Sequence, residues 1–221
     1  MKHTNYKLAI FDLDGTLLDT SEGILSAVQY TIRHFGFPHL ADEDLSTFIG
    51  PPIQNSFAKA YGLEGQILQD IATVFRDRYK EADLLKAVPY VGIYDALLEL
   101  RQCGLKLAVA TYKREDYALT LLKQFGFDQY FDVMHGADHY NKLKKSDIIL
   151  RCLGEAGIQD KNDAVLIGDT VNDETGAKAA EIDFIGVTYG FGFSKEAERE
   201  KSLAICFANT PSEIPQAILQ A

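Results

Sequence analysis

Asp12 and Asp14 stand at the end of a short apolar run in residues 8–19, LAIFDLDGTLLD. Alternation along a strand sends both carboxylates to one side while Leu13 points the other way. One acid can serve as a nucleophile and its neighbour can carry protons. Gly15 allows torsions closed to other residues and lets a ligand approach the backbone, and Thr16 adds a hydroxyl. Two acids directly after a buried strand favour this chemistry over a solvated Asp-Gly turn. Further along, Thr111 follows the apolar KLAVA and Asp169 follows AVLIG, with Asp173 one turn later if a helix has begun. KLKKSD offers the ammonium groups of Lys142, Lys144 and Lys145 ahead of an apolar helical pattern. Carboxylates with no partnering His or Cys present hard oxygen donors, which suit magnesium rather than zinc. His135 and His139 have metal-like spacing without a third ligand and read as a loop pair.

These residues need a scaffold that brings strand ends together. From Pro89 onward short apolar strands alternate with amphipathic helices, the pattern of a parallel α/β sheet with helices on both faces. Helices are expected at 93–103, 115–125, 146–156 with Ser146 as N-cap, 172–180 and from 212 onward. Strands are expected at 106–110, 131–135, 164–167, 184–187 and near 204–208. In such a sheet ligands bind at the carboxyl ends of the strands, so Asp12, Thr111 and Asp169 should share one rim. Between the first strand and Pro89 the periodicity gives four helices, at 20–36, 42–49, 53–61 and 64–79, and no strand. That stretch is far longer than an ordinary strand-to-helix connection. The expected organisation is an α/β core of residues 1–16 and 89–221 with a helical cap of residues 17–88 inserted in it.

With 221 residues, 47% of them apolar, the chain can build one full core and a modest second unit. A formal charge of -10 disfavours nucleic acid or an anionic membrane as partner, and an anionic substrate would need local cations. Cys103, Cys152 and Cys206 are far apart in apolar segments and read as reduced core thiols. No run reaches the length of a signal peptide or membrane span. A soluble cytoplasmic protein, monomer or homodimer, is expected.

The D-x-D-G-T pattern after a buried strand resembles the first signature of the haloacid dehalogenase superfamily. The three later signatures follow in order: Thr111 in VATYK, a lysine opening a helix, and Asp169 with Asp173 in LIGDTVND. Among the three lysines Lys145 is chosen because K-S-D resembles the K-P-D or K-A-D form of phosphatases in this superfamily. Tyr112 stands where the family often has a small residue or Asn. The resemblance implies a Rossmann-like core and phosphoryl transfer from a small phosphorylated metabolite: Asp12 attacks phosphorus, Asp14 protonates the leaving oxygen and then activates water, and Thr111 and Lys145 steady the phosphoryl oxygens. It implies Mg2+ held by Asp12, the carbonyl of Asp14, and Asp169, with Asp173 orienting Asp169 or a metal-bound water. Asp138 resembles a position that orients the lysine. Asp14 argues against dehalogenation, and Thr16 argues against the sugar-phosphate mutase branch, where a valine often stands. The alternatives weighed are such a mutase or a catalytically silent relative that binds a phosphorylated ligand or a protein. Residues 48–57, FIGPPIQNSF, resemble the cap loop of phosphoglycolate phosphatases and of a 5'-nucleotidase-like branch. Substrate contacts are therefore expected from Gly15, Thr16, Thr111 and Tyr112 and, in the cap, from Gly50 and Pro51. Arg33, Lys59, Arg76 and Arg78 are further cations there.

Overall fold

The structure is a computed structural model that describes residues 6–139, 142–193 and 195–220; the outermost ends of the expected core lie outside these. Along the chain, β1 (Leu8–Phe11) and the two-residue β2 (Leu18–Asp19) lead to α1 (Ser21–His34), α2 (Asp42–Ser46), α3 (Ile53–Tyr61) and α4 (Gln66–Arg78). A π-helical turn (Tyr79–Asp83) and β3 (Val88–Pro89) come next. Then follow α5 (Ile93–Gln102), β4 (Lys106–Arg114), α6 (Glu115–Gln124), β5 (Val133–Ala137), α7 (Lys145–Ala156), β6 (Ala164–Gly168), α8 (Val171–Ala180) and β7 (Asp183–Val187). The short α9 (Glu196–Arg199), β8 (Cys206–Ala208) and α10 (Ile214–Leu219) complete the order. Two compact units result, residues 1–19 with 89–221 and residues 20–88.

The first unit holds a six-stranded parallel sheet in the order β5-β4-β1-β6-β7-β8. Strands covered on both faces need no polar alternation, which is why LAIF and AVLIG are apolar throughout and buried throughout. Alternation divides them: Leu8, Ile10, Ala108, Ala110, Ala164 and Leu166 join one core cluster with Ile148, Ile149 and Cys152 of α7 and Ala177 and Ala180 of α8. Ala9, Phe11, Leu107, Val109, Val165 and Ile167 are equally buried and have the opposite parity. From β1 the chain moves outward through β4 to β5, crosses back to β6, and moves outward again through β7 to β8. The reversal puts the crevice for a ligand beside β1.

Local chemistry moved several boundaries. β4 runs to Arg114 rather than stopping at Ala110, with a register shift between those residues, so Thr111 lies inside the strand and α6 begins only at Glu115. Ser146 is not the cap of α7; Lys144 is, its N–H donating to Asp147 Oδ2 at 2.8 Å, so Lys145 opens the helix. β5 starts two residues late, and α2 ends at Ser46, where the Ser46 and Thr47 hydroxyls turn back onto the Glu43 and Asp44 carbonyls. The paired β2 and β3 carry no periodicity in two residues each and were not expected. Of the cysteines only Cys152 is buried; Cys103 is exposed and Cys206 half-buried, and all three are free thiols. Among the described residues no helix is long and apolar enough to cross a membrane.

The second unit is held by an ionic centre. Asp83 is fully buried and accepts from Arg78 Nε at 2.8 Å, Lys86 Nζ at 2.8 Å and Ser26 Oγ at 2.9 Å, tying α1 to the end of α4. Burial alone would raise its pKa, but bonds from Lys86, Ser26 and Arg78 hold it below the ordinary carboxylate range. A depressed folded pKa means stabilisation present above the unfolded value and lost as pH falls through the folded one, here below about pH 4. Asp83→Ala should cost about 2–3 kcal/mol, at the lower end for a broken buried pair because Arg78 and Lys86 still reach water. Urea titration reads this as a lower midpoint; an unchanged midpoint would show the centre to be dispensable.

Candidate active site

Three neighbouring strands deliver the acids and the hydroxyl. Phe11 is level with Val109 and Ile167, so Asp12, Thr111 and Asp169 stand one or two steps beyond these pairs at the carboxyl rim of β1, β4 and β6. Asp12 is fixed by its N–H to the Ile167 carbonyl, 2.9 Å. It has the parity of Leu8 and Ile10, the side covered by α7, and Lys145 is the first residue of that helix. Lys145 Nζ reaches Asp12 Oδ1 at 2.5 Å and Asp173 Oδ1 at 2.6 Å, and its side chain is 2% exposed. Room for it comes from Gly176 on α8, where a Cβ would lie 2.4 Å from Lys145 Cγ.

Asp173 sits in the first turn of α8, its Oδ2 accepting from the Thr170 N–H at 3.1 Å and hydroxyl at 2.7 Å. It therefore caps its helix and grips Lys145 with its other oxygen. Asp138 does not orient the lysine; its Oδ1 takes the N–H groups of Lys142 and Leu143 and shapes the turn before α7. Lys142 and Lys144 are exposed, whereas Lys145 is buried. His135 is no loop residue: it lies in β5 with its ring nitrogens 3.4 Å from Glu115 and 2.7 Å from Glu155.

Asp169 is sealed by a loop the sequence reading did not single out, residues 188–193. Phe191 N–H donates to Asp169 Oδ2 at 2.6 Å, and Phe193 N–H to its carbonyl at 3.1 Å. Gly190 is needed there because a Cβ would come within 2.4 Å of both Asp169 Cβ and the Gly15 carbonyl. Gly15 answers it with φ +81 and no space, since a Cβ would meet Asp169 Oδ2 at 2.1 Å. Tyr189 closes the side: its hydroxyl donates to the Thr16 carbonyl at 2.9 Å and its ring packs edge-on against Tyr90 at 4.7 Å. Thr111 is buried and its hydroxyl oxygen accepts the Lys113 N–H at 3.1 Å; Tyr112 is exposed, with Lys145 Nζ 5.9 Å from its ring centre. Lys113, also unanticipated, places its Nζ 2.9 Å from Asp14 Oδ2. Gly50 and Pro51 form an exposed turn between α2 and α3 in the other unit, and Arg78 there is committed to Asp83.

Charge in the first unit's site is unbalanced. Ligand oxygens of Asp12, Asp169 and Asp173 lie within 4.8 Å of one another, and Asp14 is close to Asp12 in sequence. Against these carboxylates stand the ammonium groups of Lys145 and Lys113. Burial pushes Asp12 up to about 7, opposed by Lys145 and reinforced by the charges of Asp173 and Asp14. Burial, Asp173 and Asp12 hold Asp169 well above the carboxylate range. Burial alone would lower the Lys145 pKa, but Asp12 and Asp173 raise it, so it stays charged. Asp169 Oδ1 and Thr16 Oγ1 are buried with no hydrogen-bond partner among the described residues. An orphaned carboxylate oxygen amid excess buried negative charge fits a divalent cation on hard oxygens.

A doubly wound parallel sheet with an acid-rich rim, a buried lysine and a separate helical unit defines the class: a Rossmann-like α/β core with an acidic site at the carboxyl ends of its strands. The chain matches the haloacid dehalogenase-like hydrolase family over residues 9–187 and belongs to it. It is 33% identical over 214 residues to the tyrosine-protein kinase PtkA of Mycobacterium tuberculosis, covering 96% of this chain and 72% of that one. A 5'-nucleotidase of Pseudomonas aeruginosa is 31% identical over 202 residues, 91% of each chain. The crystal structure of a predicted phosphatase from Clostridium acetobutylicum superposes with a TM-score of 0.90 at 33% identity, over 98% of this chain and 99% of that one.

Proposed function

We propose that the protein is a magnesium-dependent phosphatase that hydrolyses a small phosphate monoester by way of an aspartyl phosphate on Asp12. The observation that carries this is the pairing of Asp12 with the buried ammonium of Lys145 beside the unpartnered Asp169 oxygen. Asp12 is the nucleophile; Lys145 restrains it and draws the anionic phosphoryl group toward it. Thr111 and the hydroxyl of Thr16 have capacity left to donate to phosphoryl oxygens. Asp14 gives a proton to the departing oxygen and takes one from the water that frees Asp12. The cation, held by Asp12, Asp169 and the Asp14 carbonyl, would neutralise charge on the phosphate. Residues 20–88 are read as the cap that selects the ester, with Gly50 and Pro51 on its substrate loop. The 5'-nucleotidase relative favours a nucleotide-like ester, and the resemblance of residues 48–57 to the cap loop of phosphoglycolate phosphatases favours a phosphoglycolate-like one.

The test is phosphate release from phosphoglycolate, nucleoside monophosphates and sugar phosphates side by side, with and without Mg2+. The PtkA relative makes the fate of the phosphoryl group worth following: free phosphate supports hydrolysis, and transfer to protein tyrosine would replace it. Cation binding also carries a pH signature. Because the folded pKa of Asp12 is raised, the metal-free folded protein keeps a proton that the unfolded chain sheds above about pH 4. Its stability therefore falls as pH rises toward 7, while cation affinity rises about tenfold per pH unit for each proton displaced. The Mg2+-induced rise in melting temperature should be larger at pH 7.5 than at pH 5.5. An equal rise at both would mean that these acids do not hold the ion.

A further inference from the structure

We infer that Lys113 is the positioning residue for Asp14, and this rests on the reading of Asp14 as the proton carrier. Lysines are mostly solvated, yet the Lys113 side chain is 7% exposed and its Nζ lies 2.9 Å from Asp14 Oδ2, itself part-buried. The lysine is anchored at its backbone from two sides. Its N–H donates to Thr111 Oγ1, and its carbonyl packs on Gly136, where a Cβ would stand 2.6 Å away. The next residue is committed elsewhere: Arg114 forks onto Asp116 and lies 4.1 Å over the Tyr117 ring. The neighbouring cations thus divide, one to the start of α6 and one to the acid loop.

The acids divide as well. Lys145 takes Asp12 and Asp173, the Phe191 N–H takes Asp169, and Lys113 takes Asp14. Asp12 and Asp173 share Lys145 while Asp14 is paired with a different lysine, so Asp14 can be placed without disturbing the nucleophile. In the step it serves, an Asp12 oxygen bonds phosphorus as the ester P–O bond breaks. The bond's electron pair goes to the ester oxygen, which takes the proton of Asp14, leaving a carboxylate beside the Lys113 ammonium. A carboxyl group free to rotate would present that proton in the wrong direction much of the time, and a displacement of about 1 Å can cost 10²-fold.

The experiment compares kcat/KM of Lys113→Met and Lys113→Arg on two esters in the full-length protein with Mg2+. A nitrophenyl phosphate has a leaving group that carries its own charge; an alkyl phosphate needs a proton. Lys113→Met is expected to lose about 30–100-fold on the alkyl ester and less than about 5-fold on the aryl ester, with Lys113→Arg recovering most of the difference. Equal losses on both esters, or an Arg variant no better than Met, would overturn the positioning role. Should Lys113→Met fail to fold, Gly136→Ala displaces the anchor with the lysine intact and must give the same split between esters. If the unaltered enzyme hydrolyses neither ester, the phosphatase reading fails first; if it hydrolyses both and the variants fall equally, only this inference does.

Discussion

Asp12→Asn should lower phosphate release by at least about 10⁴-fold while leaving the fold intact or steadier. An amide cannot displace an ester oxygen at phosphorus, and removing a covalent nucleophile is among the largest single losses an enzyme can suffer. The stability side follows from the electrostatics. Asp12 is buried, and its ionised form is opposed by Asp173 and Asp14, so above about pH 7 its charge works against the folded state. Asparagine keeps an oxygen for Lys145, which bonds Asp12 Oδ1 at 2.5 Å, and removes the repulsion. At pH 8 without divalent cation the variant should melt at or above the parent, and the gain on adding Mg2+ should shrink. Retained turnover in scrupulously separated protein would remove Asp12 from the mechanism and with it the aspartyl phosphate.

Lys145→Met should act in the opposite sense on stability. The lysine is buried with Asp12 and Asp173 at 2.5 and 2.6 Å. Methionine fills much of the same volume but leaves two buried acids with no cation between them. Breaking a buried ionic pair on one side costs about 3–5 kcal/mol, which for a chain of this size is a drop in melting temperature of about 6–20 °C. Adding Asp173→Asn should return part of that loss, because one of the two charges left uncompensated is then gone; a double variant no steadier than the single one would mean packing rather than charge explains the lysine. Activity should fall about 10²–10³-fold in both, since neither restores a cation for the phosphoryl group.

The two variants also separate what was legible in the chain from what was not. Asp12 and Asp169 could be picked out because each stands where an apolar strand gives way to an acid, whereas Lys145 was separable from Lys142 and Lys144 only through the resemblance of K-S-D to a phosphatase signature. The division of labour among the acids could not. Asp173 reads in sequence as a partner of Asp169, and a carboxylate oxygen of each does lie within 4.8 Å of the other, but spacing gave no sign that Asp173 also binds Thr170 and Lys145. Asp138 reads as a partner of the lysine, yet it shapes a turn. Such choices are made by which side chains converge from β1, α7 and α8, and spacing along one segment carries no record of that. Thr111 shows the same at the level of the backbone, since KLAVA gives no sign that the strand continues to Arg114 beside β5.

By itself the sequence determined the repeating strand and helix order, the apolar strands and the acids at their ends, because periodicity of two or of 3.6 and the reach of Gly and Pro act over a few residues. Only the tertiary structure decided that Lys113 lies on Asp14, that residues 188–193 close over Asp169, and that Gly15, Gly168, Gly176 and Gly190 leave no room for a Cβ. Those facts join segments as distant as 14 and 113 or 15 and 169, and contact at such separations is settled by the packing of the whole sheet.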